Sequence, residues 1–172
     1  EVRMLFTFSG LIASNINVVL LADARVADED KQGRLMVGAA GRLLTRLLEE
    51  ANYSFPFFLT NRVRCRPPRN RLADAPDALT ACEKWTVAEI KAYDPTVVVL
   101  LGATAIHTVF GASAAVGQCR GVVRSTGTDH VYGKRCWIAT YHPAAVFRAG
   151  QGRRELEELI ISDLKVAKEI AL

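Results

Sequence analysis

The chain has 172 residues, half of them hydrophobic and 23% charged, with 22 Lys and Arg against 18 Asp and Glu for a net charge of +4. This is the composition of an ordinary globular domain, long enough to bury a core and too apolar to be disordered. The longest apolar runs fall short of the roughly 18 residues needed to cross a bilayer. No basic, apolar and small-residue leader pattern opens the chain. The four Cys are too few for a secreted disulfide scaffold of this size, so reduced thiols in a cytoplasmic protein are expected. The basic excess permits a polyanionic partner without requiring one.

Apolar runs alternate with helix-period segments along the chain, which predicts a single α/β domain over residues 1–172. The first strand is expected over Asn17–Ala22, where Val18-Val19-Leu20-Leu21 is continuous enough to be buried on both faces. A polar stretch follows from Asp23 to Arg34. A helix is expected over Val37–Ala51, with Leu43, Leu44, Leu47 and Leu48 on one face; its start, Gly38-Ala39-Ala40-Gly41, is small enough for close approach of a ligand.

The second strand is expected over Pro56–Asn61. It enters RVRCRPPRNR, a loop with Arg62, Arg64, Arg66, Arg69 and Arg71, whose two Pro forbid a helix. The next helix, Ala75–Tyr93, carries a stripe of Leu79, Cys82, Trp85 and Ile90. The third strand is Thr96–Leu101, broken by Gly102 and followed by a short helix over Ala103–Phe110. Residues Gly111–Gly133 are rich in Gly, Ser and Thr and suit turns and a short hairpin. The fourth strand, Arg135–Thr140, delivers Tyr141-His142-Pro143. The last helix runs from Arg153 to Ala171. These elements predict a three-layer α/β/α domain around a central, mostly parallel four-stranded sheet. In such sheets ligands bind beyond the carboxyl ends of the strands. The residues found there are Asp23, Asn61, Gly102 and His142.

Four stretches together resemble a known family. ADARVADEDKQGRLMVGAAGRLL (Ala22–Leu44) is similar to GEAPG..ED..GRPFVG.AG.LL. FLTNRVRCRPPRNR (Phe58–Arg71) is similar to YITNVVKCRPPGNR, PTVVVLLGATA (Pro95–Ala105) to P.vivaLGATA, and ATYHPAAVFR (Ala139–Arg148) to PT.HPS.LLR. These are patterns of the family-4 uracil-DNA glycosylases, the iron–sulfur branch of the uracil-DNA glycosylase superfamily. They occur in the family's order and cover nearly the whole chain.

The resemblance implies a DNA glycosylase that flips a base out of DNA and hydrolyses the N-glycosidic bond of uracil or a related modified pyrimidine. It implies that Asn61, whose amide offers both donor and acceptor, contacts the base. It implies that His142 stabilises charge on the departing base, as an oxyanion-hole donor does. Asp23 takes the place of the family's Glu and would assist water or stabilise the sugar cation. Ala24, Met36 and Gly38 would line the base pocket. The five Arg of the loop, with Arg148, would contact phosphates, and Val146 or Phe147 would enter the minor groove as a wedge. The expected partner is single- or double-stranded DNA with a damaged or modified base; a monomer is expected, nucleoid-associated in a bacterium.

The resemblance also implies a 4Fe-4S cluster. Cys65 and Cys82 match two of its ligands, and the other two come from a C-x-x-C that the alignment puts a few residues before Glu1; the cluster is expected only where that pair exists. Cys119 and Cys136 match no ligand position and suit the core. Three departures stand out: GEAPG has become Ala22-Asp23-Ala24-Arg25-Val26, the stacking Phe has become Met36, and HPS has become His142-Pro143-Ala144. They motivate a second reading, a DNA-binding or sensor module that keeps the fold and the basic loop without turnover.

Overall fold

The structure is a computed structural model that describes residues 16–24, 27–33, 35 and 37–172. Arg25, Val26 and Met36 therefore lie outside the described residues. Five strands form one sheet in the order β2-β1-β3-β5-β4. They are β1 (Val18–Ala24), β2 (Phe57–Val63), β3 (Val97–Leu101), β4 (Val123–Thr126) and β5 (Arg135–Thr140). The first three and β5 run parallel, while β4 pairs antiparallel with β5.

The apolar runs become strands because both sheet faces are covered. Val18 and Leu20 face a cluster with α2 (Ala39–Glu50) and α6 (Arg153–Ala171). Val19 and Leu21 face the other cluster, with α3 (Ala78–Tyr93) and α4 (Ala103–Phe110). Residues 97–101 of β3 are all buried, as a central parallel strand requires.

The strand count corrects the expected four to five. Strand β4 is short, sits at the sheet edge and exposes Val123, Arg124 and Ser125, so it lacks the apolar pattern that marks the others. Two helices were also unforeseen: α1 (Ala27–Gln32) within the polar stretch and the single turn α5 (Val116–Cys119). In α3 Ile90 of the expected stripe is buried, with Thr86 beside it, while Leu79 and Cys82 are half-buried and Trp85 is exposed.

Strand β2 runs two residues further than expected, and this changes the arginine loop. Arg62 lies inside β2 with its side chain buried, and its guanidinium donates to the Thr108 hydroxyl in α4. It is thus withdrawn from the phosphate-contacting set. Arg64 pairs with Glu89 of α3, and the Thr60 hydroxyl donates to the same carboxylate at 2.6 Å. Arg66, Arg69 and Arg71 stay exposed on and beside two 3-10 turns (Pro68–Asn70 and Leu72–Asp74), bonded to Asn70 and Asp74.

Beneath the exit of β5 a buried network fixes the chain. Asp163 of α6 pairs with Arg120 and accepts a 2.7 Å hydrogen bond from the Thr140 hydroxyl. The Thr140 carbonyl in turn accepts from the Gly102 N–H at 3.0 Å. The ends of β3 and β5 are therefore tied together where the next residues matter most.

Candidate functional site

Strand register sets the site. Ala22 of β1 lies opposite Asn61 of β2, and Leu101 of β3 lies opposite Thr140 of β5. Side chains alternate along β1, so Ala22 and Ala24 face one side while Asp23 faces the other. The Ala22 side opens into a pocket lined by Ala24, Asn61, His142, Glu29 and Leu35, with Ala40 and Gly41 of α2 as a close wall.

Asn61 is buried at the pocket wall, and its side-chain amide makes no hydrogen bond to another described residue. An amide that reaches the pocket without a partner among the described residues is available to a ligand. His142 caps a 3-10 turn (Pro143–Arg148), its Nδ1 accepting from the Ala144 N–H at 3.1 Å. A backbone N–H can only donate, so Nδ1 is the acceptor and the ring's proton sits on Nε2. Burial also lowers the His142 pKa, outweighing the opposite pull of Asp23 and Glu29. The ring is thus a neutral Nε2–H donor, the form able to stabilise developing negative charge without first releasing a proton.

Asp23 lies behind this pocket. Its carboxylate lies beside the start of α4, near Thr104 and Ala105. Burial pushes its pKa up and outweighs the lowering by His142, Ala105, Thr104 and His107. Its Oδ1 is buried with no hydrogen-bond partner among the described residues. Gly102 separates Asp23 from His142. A Cβ on Gly102 would stand 2.9 Å from the His142 Cβ and 3.5 Å from Asp23 Oδ2, and its φ of +89° is one that other residues rarely adopt. The bare backbone at Gly102 is what lets the two side chains approach.

The expected site residues fall into three groups. Asn61, His142 and Ala24 meet in the pocket, and Asp23 adjoins His142 across Gly102. Gly38 is the N-cap of α2, while Ala40 and Gly41 touch the pocket in its place. Met36 lies outside the described residues. The two wedge candidates separate cleanly: Val146 is buried in the core, and Phe147 is 46% exposed. Val146 is therefore a packing residue. Glu29 lines the pocket because the acidic segment forms α1, which turns one of its carboxylates inward; Asp30 stays exposed. Leu35, Leu59 and Leu101 complete the apolar wall.

The cysteines are all free thiols. Cys65 is exposed after β2 and Cys82 is half-buried in α3, while Cys119 and Cys136 pack beside the core. Among the described residues no group of three or more His, Cys, Asp or Glu is placed to hold a metal ion. Cys65 and Cys82 offer two thiolates where a 4Fe-4S cluster takes four, so the described residues do not fit that group. Among the described residues no helix is long and apolar enough to cross a membrane.

The model of the uracil DNA glycosylase superfamily matches residues 9–165. A Type-4 uracil-DNA glycosylase of Thermotoga maritima is 35% identical over 153 residues, covering 88% of this chain and 76% of that protein. One from Archaeoglobus fulgidus is 34% identical over 159 residues, covering 89% and 76%. A Type-5 uracil-DNA glycosylase of Thermus thermophilus is 29% identical over 157 residues, covering 83% and 69%. With a family match across most of its length and relatives above 30% identity, the chain belongs to the uracil DNA glycosylase superfamily.

Proposed function

We propose that this protein is a DNA glycosylase that hydrolyses the N-glycosidic bond of uracil, or of a closely related modified pyrimidine, after the base has been flipped into the pocket. The observation that carries this reading is the meeting of Asn61 and His142 in one pocket, the amide without a partner among the described residues and the imidazole held as an Nε2–H donor. Membership of the superfamily, with relatives named Type-4 uracil-DNA glycosylases, supports it.

In the reaction the bond between the sugar C1′ and the base nitrogen breaks, and its electron pair leaves with the base. His142 Nε2–H donates to the base oxygen where that charge gathers, which lowers the barrier. Asn61 pairs with the polar edge of the base and selects it. A water attacks C1′, a C–O bond forms, and the water's proton passes to the Asp23 carboxylate, whose Oδ1 has no hydrogen-bond partner among the described residues. Phe147, exposed on the turn that carries His142, fills the gap left in the duplex.

The pKa directions fix an expected pH profile. Asp23 must be ionised to accept a proton, and its pKa is raised. His142 must be neutral to keep its Ala144 bond, and its pKa is lowered. Both requirements fail on the acid side, so the rate should rise as pH rises through the two folded-state pKa values and should not fall again between pH 6 and 8. A profile that declines from pH 6 to 8 contradicts these assignments.

The DNA surface on this reading is Arg66, Arg69, Arg71 and Arg148. The loop arginines are held by exposed pairs with Asp74 and Asn70, worth about 0–1 kcal/mol, so phosphates can displace them. Replacing all three loop arginines by Ala should flatten the plot of log affinity against log salt by about two to three units of slope for duplex DNA. Anisotropy titrations at several salt concentrations measure this, and an unchanged slope would show that DNA lies elsewhere.

The direct test incubates a uracil-containing oligonucleotide with the protein and then cleaves abasic sites with alkali. Strand breakage at the uracil is expected, with none in the matched thymine oligonucleotide. Salt-sensitive binding with no breakage would instead identify a binding module that keeps the fold without turnover.

A further inference from the structure

Phe147 stands on the same turn as His142. Pro143 and Val146 anchor that turn in the core, and Phe147 projects from it. An exposed ring on a single bond samples several rotamers, and freezing it on insertion into DNA costs affinity. Here something orders it beforehand. The guanidinium carbon of Arg153, the first residue of α6, lies 5.6 Å from the centre of the Phe147 ring. Arg153 Nε in turn lies 3.5 Å from Glu157 Oε1. Glu157 is buried and also pairs with Arg46 and Arg154, so it is a fixed point. A chain of contacts thus leads from a buried carboxylate through one cation to the exposed ring.

We propose that Arg153 is a positioning residue that braces Phe147 as a wedge and so favours bases held in duplex DNA over those in single strands. The inference rests on the glycosylase reading. Opening a base pair and unstacking it costs energy that a pre-ordered ring helps to offset. Single-stranded DNA has no pair to open, so the brace matters less there. The guanidinium carbon lies over the ring, and a guanidinium offers charge and a flat face where a lysine ammonium offers only charge.

The test is a double-mutant cycle on Phe147→Ala and Arg153→Ala, with Arg153→Lys alongside. Uracil release is measured from the same sequence as a duplex and as a single strand. Arg153→Ala should reduce release from the duplex roughly three- to fivefold more than from the single strand. Arg153→Lys should restore only part of this. The double variant should be no worse on the duplex than Phe147→Ala alone, because the brace acts only through the ring. Equal losses on both substrates would mark Arg153 as a plain phosphate contact and overturn the brace. Losses that multiply in the double variant would overturn it too. If the unaltered protein excises uracil from neither substrate, the glycosylase reading fails and the brace falls with it; if it excises and the cycle multiplies, only the brace fails.

Discussion

Replacing His142 by Ala should reduce uracil release by about 10²–10³-fold, the usual loss when a donor to a developing oxyanion is removed. The loss should fall on the chemical step, because a neutral N–H adds most where negative charge appears. His142→Gln, which keeps an N–H donor, should recover part of the rate. The Ala variant also loses the hydrogen bond that caps the turn, a cost of about 1 kcal/mol. A thermal melt separates that modest destabilisation from the rate effect. Single-turnover kinetics on the two variants, at saturating protein, are the measurement. A His142→Ala protein within tenfold of the parent would remove His142 from the reaction.

Asp23→Asn should lose at least about 10²-fold in rate, since an amide cannot accept the water's proton. The same change should raise stability at neutral pH. Burial makes the charged Asp23 costly in the folded protein, and among the described residues Oδ1 has no donor to offset that cost. The sign follows from the raised folded-state pKa. The parent gains stability as pH falls through that pKa, because the folded state then binds a proton more readily than the unfolded chain. The Asn variant lacks this gain. Its advantage, on the order of 1 kcal/mol or about 2–4 °C in Tm, should therefore be present at pH 7 and shrink in acid. Paired melts at pH 7 and pH 5 check it. A variant less stable at pH 7, with an unchanged rate, would make Asp23 a structural carboxylate.

The two results belong together. A side chain kept at a stability cost in a strand end beside His142 is what a reactive carboxylate looks like. Gly102 makes the approach possible by having no side chain.

Much of this was legible in the sequence, and what was not has a physical reason in each case. Strands β1, β2, β3 and β5 announce themselves because a strand covered on both faces carries a continuous apolar run, as Val97–Leu101 shows most fully. Strand β4 lies on the edge with exposed Val123, Arg124 and Ser125, so nothing in its composition separates it from a loop. Asn61 and His142 stand out as polar residues at the ends of buried strands, and they do share the pocket.

Arg62 shows the limit of reading charge along a chain. It belongs to a run of arginines, yet β2 continues through it and alternation turns its side chain toward α4. Val146 and Phe147 are adjacent and equally apolar, so only the packed turn tells anchor from wedge. Glu29 is similar: an acidic stretch such as ADEDKQ looks solvated until the helix α1 turns one carboxylate toward the pocket.

The central claim is that the pocket holding Asn61 and His142 releases a base from DNA. Mass spectrometry of the small molecules freed from uracil-containing DNA tests it most directly, because it identifies the base itself. Free uracil should accumulate with the parent protein and fall to near background with His142→Ala. The account is contradicted if no base of any kind appears, or if uracil appears equally with both proteins.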